Sequence, residues 1–468
     1  MGRGPGLLSL KPPSVTVGLS PWLVHLLCLA SVTFLLPMGL LFPFPAACGG
    51  LQAPDQGEEA IRELVAEIHA RVGGLEVDGL ETDWEGIPGQ GEAPRGAGED
   101  PSRDLIFASV VPTDTHLWVL LRTAGAPSRS DRAFWLNLDL GGDRRPELQI
   151  GLSATGPHHV RLFEGYREGA TFRSSAPVAR VGEVVEVMIP LDSVASWLGG
   201  SGLGRGPSGS GGARAGGGPA LSGPGARSWV RVFPLSWDAE TGAFVDFGPA
   251  VASFRIRAEA YPLDPPLPQH PAPAATLPLP LEGQWWIAQG PLSYSSHAGV
   301  WAYDLAMVDH ALQWASEPGS CDLENNYSWN RQIWSPVEGR VRGVVRSRPD
   351  GSPCVNGEGD PNSVYLDLGG GVGLWLAHFR QGSIVLDEGD PVGPGEYLGR
   401  VGNSGTSSGP HLHLGLYDTG DGSTTLSLAL RDVRVGLNPG PDDPWARELA
   451  VWEPREGFFV NPLRSIRR

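Results

Sequence analysis

His411 and His413 stand one residue apart in the stretch Gly402-Asn-Ser-Gly-Thr-Ser-Ser-Gly-Pro-His-Leu-His-Leu-Gly-Leu416. Side chains on a strand alternate between faces, so both imidazoles point one way while Leu412 and Leu414 point the other, into a core. The glycines and Pro410 ahead of the pair predict a tight loop that delivers the strand. Two histidines on one face at the mouth of a loop suit a zinc site. Eleven histidines scattered over 468 positions would give His-x-His in roughly one sequence in four, so the pair takes its meaning from its company.

Three further residues supply that company. His378 sits in the apolar run Gly373-Leu-Trp-Leu-Ala-His-Phe379, Asp304 in Trp301-Ala-Tyr-Asp-Leu-Ala306, and His297 in Ser295-Ser-His-Ala-Gly-Val300. A histidine in an apolar strand is, taken singly, more often a core residue bonded to backbone. An aspartate between Tyr303 and Leu305 is harder to explain that way, because a buried carboxylate is costly unless it is paired or bound to a metal.

The order of motifs from 333 to 416 resembles the lysostaphin-type zinc metallopeptidases, a family that includes many murein endopeptidases. The residues carrying the resemblance are the Pro336–Val341 turn (Pro-Val-x-Gly-x-Val), Leu376-Ala-His-Phe379, Val392-Gly-Pro-Gly-Glu-Tyr-Leu-Gly-Arg-Val-Gly-Asn-Ser-Gly405 and Gly409-Pro-His-Leu-His413. The resemblance implies that His297, Asp304 and His413 hold zinc (Zn2+) and that His378 and His411 are the catalytic histidines. Three protein ligands leave zinc a fourth position for water, whose pKa the metal lowers to about 7. No His-Glu-x-x-His occurs in the chain, so the base is expected to be a non-ligand histidine. His411 is the expected base and His378 the expected partner of the oxyanion, with the two roles exchangeable. Six residues separate His297 from Asp304 where the family usually has three, which leaves His310 as the alternative ligand.

The resemblance covers residues 283–468, where short runs such as VWAYDLAMV and HLHLGLYD predict an antiparallel sheet. Residues 104–260 carry eight more short strand-like runs separated by turn residues, which predicts a jelly-roll-like β-sandwich. The fold class expected is therefore all-β, a sandwich followed by the peptidase sheet. Residues 199–227, nearly all Gly, Ser, Pro, Ala and Arg, read as a flexible insertion in the sandwich. Residues 261–282 are proline-dense and read as a spacer between domains. Residues 49–103 read as a helix over 58–72, where His69 is a surface residue, followed by a linker over 79–103. His158 and His159 read as a turn between strands, with metal binding as the alternative, and His270 reads as an inert residue of the spacer.

From Pro21 to Ala47 no residue is charged, and the stub before it carries Arg3 and Lys11 with no acid. That layout predicts export, with the body of the chain outside the cytoplasm and membrane contact only through residues 1–48. Small residues before Cys48 resemble a lipoprotein cleavage site. Pro45 departs from the usual leucine, so lipidation at Cys48, simple cleavage and an uncleaved anchor all stay open. In an oxidising compartment Cys321 and Cys354 are expected to pair.

The formal net charge of -17 excludes nucleic acid as the expected partner, since phosphate binding needs a basic face. The expected substrate is peptidoglycan or another peptide. Sixteen tryptophans serve core packing first and, in the sandwich, contact with glycan second. The competing reading is a binding module without catalysis that activates other wall hydrolases.

Overall fold

The computed structural model describes residues 63–64, 66–68, 70–87, 91–95, 100–140, 146–164, 167–200, 229–254, 271–291, 297 and 300–467. The export segment, Cys48, His69, His270, residues 201–227 of the Gly-rich insertion and residues 261–270 of the spacer lie outside them. The fold is all-β as expected, with 44% strand and 7% helix. Among the described residues no helix is long and apolar enough to cross a membrane.

Two antiparallel sheets are built from the first half of the described residues. One runs in spatial order Gly91–Glu92, Leu105–Pro112, His116–Thr123, Val185–Pro190, Val178–Val181. The other runs Ala243–Phe247, Trp229–Asp238, Phe134–Asp139, Leu148–Gly151, His158–Glu164, Arg167–Ser174, with Val251–Phe254 also paired to Trp229–Asp238. Alternate residues of both sheets enter one core: Val110, Val119 and Val187 from the first, Leu136, Ile150 and Val232 from the second. That sharing follows from the period of two, which puts every second side chain of a strand on one face. His158 and His159 begin a strand rather than forming a turn. The buried His158 accepts a hydrogen bond at Nδ1 from Ser153 N–H, so its ring is consumed locally.

The expected linker over 79–103 departs from that reading. The Asp78 and Gly79 N–H groups donate to Glu186 Oε2, and the buried Trp84 indole donates to Glu186 Oε1 over 2.6 Å. Burial pushes the Glu186 carboxyl above its ordinary range, and the donors from Gly79, Trp84 and Asp78 oppose that shift. Gly91–Glu92 then adds an edge strand to Leu105–Pro112.

The third sheet has the order Ala275–Pro278, Leu428–Gly436, Phe459–Pro462, Trp285–Gln289, Ala302–Ala306, Leu412–Asp418, Val372–Ala377, Ser363–Asp367, Gly339–Val345, Pro391–Val392. Thr425–Leu426 and Arg447–Trp452 pair with it off that path. Its first strand pairs in parallel with Leu428–Gly436 and lies inside the expected spacer. The alternating leucines explain this: Leu277, Leu279 and Leu281 are all buried, and an edge strand tolerates the intervening prolines.

The two halves meet through polar as well as apolar contacts. Arg231, fully buried, donates from Nη2 to Leu437 O at 2.7 Å and Gly457 O at 2.6 Å. Asn438 answers it in the other direction: its Oδ1 accepts from Ala252 N–H and its Nδ2 donates to Ala252 O. Burial pulls the Arg231 pKa down to about 10, against the nearby charges of Asp139 and Asp443.

Candidate metal centre and its histidines

Sheet register explains why Asp304 and His413 meet. Asp304 lies directly opposite His413 in the antiparallel pair of Ala302–Ala306 with Leu412–Asp418, and Ala377 lies opposite His413 on the other side. Residues directly opposite share a face with Cβ atoms about 5 Å apart. His411 is two residues before His413 and keeps that face. His378 follows the Val372–Ala377 strand and turns back toward the site with φ +64°. A non-glycine residue adopts that left-handed backbone only where its surroundings impose it. Here Asn362 Nδ2 donates to Phe379 O, Phe379 N–H donates to Asn362 O, and Gly402 N–H donates to His378 O.

Two histidine nitrogens converge on one carboxylate oxygen. His413 Nδ1 is 2.9 Å and His297 Nε2 is 3.3 Å from Asp304 Oδ1, and all three side chains are buried. One ligand atom from each of His297, Asp304 and His413 lies within 4.8 Å of the others. His297 Nδ1–H donates to Gly290 O over 3.1 Å, which fixes the tautomer and leaves the Nε2 lone pair for the centre, as ligating histidines commonly do. That Nε2 is buried without a well-aligned hydrogen bond.

The charges fit a cation. Burial alone would raise the Asp304 carboxyl, yet the facing His411, His297 and His413 imidazoles hold it well below the usual carboxylate range. Burial acts to lower His297, but the Asp304 carboxylate raises its pKa overall. Burial lowers that of His413. An ionised carboxylate enclosed by imidazoles needs a positive charge, and a divalent cation supplies it without a proton. These residue types and this closeness fit zinc. His310, the alternative ligand, is not in the cluster. Its carbonyl accepts from Ala250 N–H, and its ring acts on Asp246.

The remaining two histidines lean on one loop. His411 Nδ1–H donates to Gly409 O at 2.7 Å, and its Nε2 lies 3.6 Å from Asp304 Oδ1. His378 Nδ1–H donates to Ser404 O at 2.8 Å, and its ring centroid is 4.4 Å from that of His411. Both rings are thus fixed with Nδ1 protonated and Nε2 free. Burial, then the neighbouring His411 imidazole, holds the His378 pKa down to about 3.

Several contributors were not visible as site residues in the sequence. Neither Ser407 nor Asn403 stood among the expected site residues. In the structure Ser407 Oγ is 3.3 Å from His411 Nδ1 and donates to Asn403 Oδ1, while Asn403 Nδ2 donates to Gly351 O. Trp375 read as core, yet it sits on the site's face with its centroid 4.4 Å from that of His413. It is parallel to Tyr365 within 3°. The one available signal was a serine four residues before His411. Cys321 and Cys354 form the expected disulfide. It closes the loop whose Asp350 and Gly351 bond Asn403.

One family profile and several solved structures resemble parts of this chain. The sequence profile of peptidase family M23 matches residues 322–424, which include His378, His411 and His413 and begin after Asp304. A mutant catalytic domain of the prophage-encoded M23 protein EnpA from Enterococcus faecalis is 19% identical, covering 30% of this chain and 87% of that one, with a TM-score of 0.22. The catalytic domain of the antimicrobial peptidase lysostaphin from Staphylococcus simulans is 16% identical, covering 36% and 88%, with a TM-score of 0.20. A zinc containing peptidase from Vibrio cholerae is 12% identical, covering 60% and 82%, with a TM-score of 0.21. Likeness at these scores fixes nothing about chemistry. The profile match bears on the segment that carries three of the five site residues, and residues 322–424 are a peptidase family M23 domain.

Proposed function

We propose that this chain is an exported zinc-dependent endopeptidase that cuts peptide cross-links in peptidoglycan. The observation that carries the reading is the convergence of His297 Nε2 and His413 Nδ1 on the same Asp304 oxygen, beside two further histidines with free Nε2 atoms. His297, Asp304 and His413 would hold the metal. When bound, zinc lowers the pKa of a coordinated water and polarises the scissile carbonyl.

His411 acts as the general base. Its Nδ1–H is committed to Gly409 O, so Nε2 takes the proton from the attacking water and returns it to the leaving amine. His378, neutral and bonded at Nδ1 to Ser404 O, presents an acceptor at Nε2. It orients a donor, either the water or a substrate N–H, and steadies an oxyanion only once it has itself gained a proton. That refines the role expected from the sequence. The charge-free segment 21–47 supports export, and the family supports a peptide substrate. The two-sheet half, read as a sandwich, would meet glycan.

Purified zinc-loaded protein is to be incubated with isolated peptidoglycan while new amino groups are counted. Release of peptide amines, absent in Asp304→Ala, is the expected result. Binding to the wall material without new amines would replace this reading with that of a non-catalytic module.

A further inference from the structure

Leu312 and Trp314 connect the two-sheet half of the chain to the loop that aims His411. Residues 309–313 close a tight turn. Asp309 N–H donates to Gln313 O, Leu312 N–H donates to Asp309 O, and Asp309 Oδ1 accepts from Ala311 and Gln313 N–H at 2.8 Å each. Leu312 holds φ +55°, a left-handed backbone that a bulky side chain enters only under constraint.

The constraint comes from both halves. Leu312 is fully buried in one cluster with Ala250 of the two-sheet half and with Trp286 and Phe459 of the third sheet. Phe233 of the two-sheet half and Trp314 pack against that cluster. Ala250 N–H donates to His310 O over 2.7 Å, inside the same turn. Trp314 then stands edge-on to Trp286, centroids 6.4 Å apart. Its ring lies against Gly409, where an added methyl carbon would meet it at 3.4 Å. Gly409 O is the acceptor of His411 Nδ1–H.

We infer that the two-sheet half is a positioning element for His411, acting through Leu312 and Trp314, in addition to any contact it makes with the wall. This rests on His411 being the base proposed above. Trp314 is a positioning residue, since it touches Gly409 and reaches His411 only through that carbonyl. Filler between two folded halves would lower stability when removed and leave the order of the 402–411 loop untouched. A positioning element must alter that order.

Deuterium uptake by residues 402–416, zinc content and turnover are to be measured in the full-length, zinc-loaded chain. The variants are Trp314→Ala, Trp314→Phe and Leu312→Ala, with Leu138→Ala, in the core of the two sheets, as the stability control. Trp314→Ala and Leu312→Ala are expected to retain zinc and speed exchange over 402–411 by about tenfold, since local opening there loses its brace. Turnover should fall about 10- to 100-fold with little change in KM, as expected for a misaimed base. Trp314→Phe, which keeps a ring against Gly409, should recover most of both losses. Leu138→Ala should lower stability and change neither. Unchanged exchange in Trp314→Ala, or equal acceleration in Leu138→Ala, overturns the inference. Should Trp314→Ala fail to fold, Leu312→Ala and Trp314→Phe decide it. If the unmodified chain cleaves no peptide, the peptidase reading fails by itself, and the exchange data still decide whether the two-sheet half orders the loop.

Discussion

Ser407 donates its hydroxyl proton to Asn403 Oδ1 over 2.6 Å, and that direction leaves its lone pairs for His411 Nδ1–H, 3.3 Å away. The direction is imposed from behind, because Asn403 Nδ2 is spent on Gly351 O at 2.9 Å and so turns Oδ1 toward the serine. The chain of donors runs one way, from His411 outward, and it favours the tautomer with Nε2 free.

Ser407→Ala removes one of the two acceptors of His411 Nδ1–H while the Gly409 carbonyl remains. Turnover is expected to fall about tenfold, the effect of a loosened catalytic group rather than a lost one. Zinc content should not change, since Ser407 touches no ligand side chain in the hydrogen-bond pattern. Steady-state kinetics beside metal analysis checks both. Unchanged turnover would remove Ser407 from the machinery.

Arg231→Ala leaves the carbonyls of Leu437 and Gly457 without their donor and opens a void between the two halves. Each buried unsatisfied group costs about 1–3 kcal/mol, so unfolding free energy should drop by about 3 kcal/mol or more. Urea denaturation of the full chain measures it. A loss under about 1 kcal/mol would mean that the buried guanidinium is not what holds the halves together.

The Cys321–Cys354 bridge spans 33 residues, and a closed loop of that size stabilises by about 3–4 kcal/mol in the chain-entropy account. Cys354→Ser should therefore lower the urea midpoint clearly. Because the loop it closes bonds Asn403 through Asp350 and Gly351, the same variant should also lower turnover with zinc retained. A variant as stable and as active as the unmodified chain would make the bridge incidental.

The candidate site was legible because it is written in residue types that are hard to explain otherwise. Asp304 in an apolar strand and the His411–His413 spacing pointed to one face, and sheet register put them there. The all-β class followed from short alternating runs. What stayed hidden depends on contacts between distant segments. Ala275–Pro278 reads as spacer because prolines dominate its composition, while its leucines find a partner only in Leu428–Gly436. The Asp78–Trp84 strap reads as linker because its anchor, Glu186, is a hundred residues away. Leu312 and Trp314 look like ordinary loop residues until Ala250 and Gly409 are beside them.

The division of the five site residues into ligands and bases is tested most directly by counting zinc in single variants of the full chain, each first shown to be folded by circular dichroism. One zinc per unmodified chain is expected. Asp304→Ala, His413→Ala and His297→Ala should lose metal and activity together. His411→Ala and His378→Ala should keep the metal and lose turnover by about 10²–10⁴-fold, the usual contribution of positioned acid–base groups. An unmodified chain that binds no zinc, or a His411→Ala variant that releases it while His413→Ala retains it, would contradict the assignment.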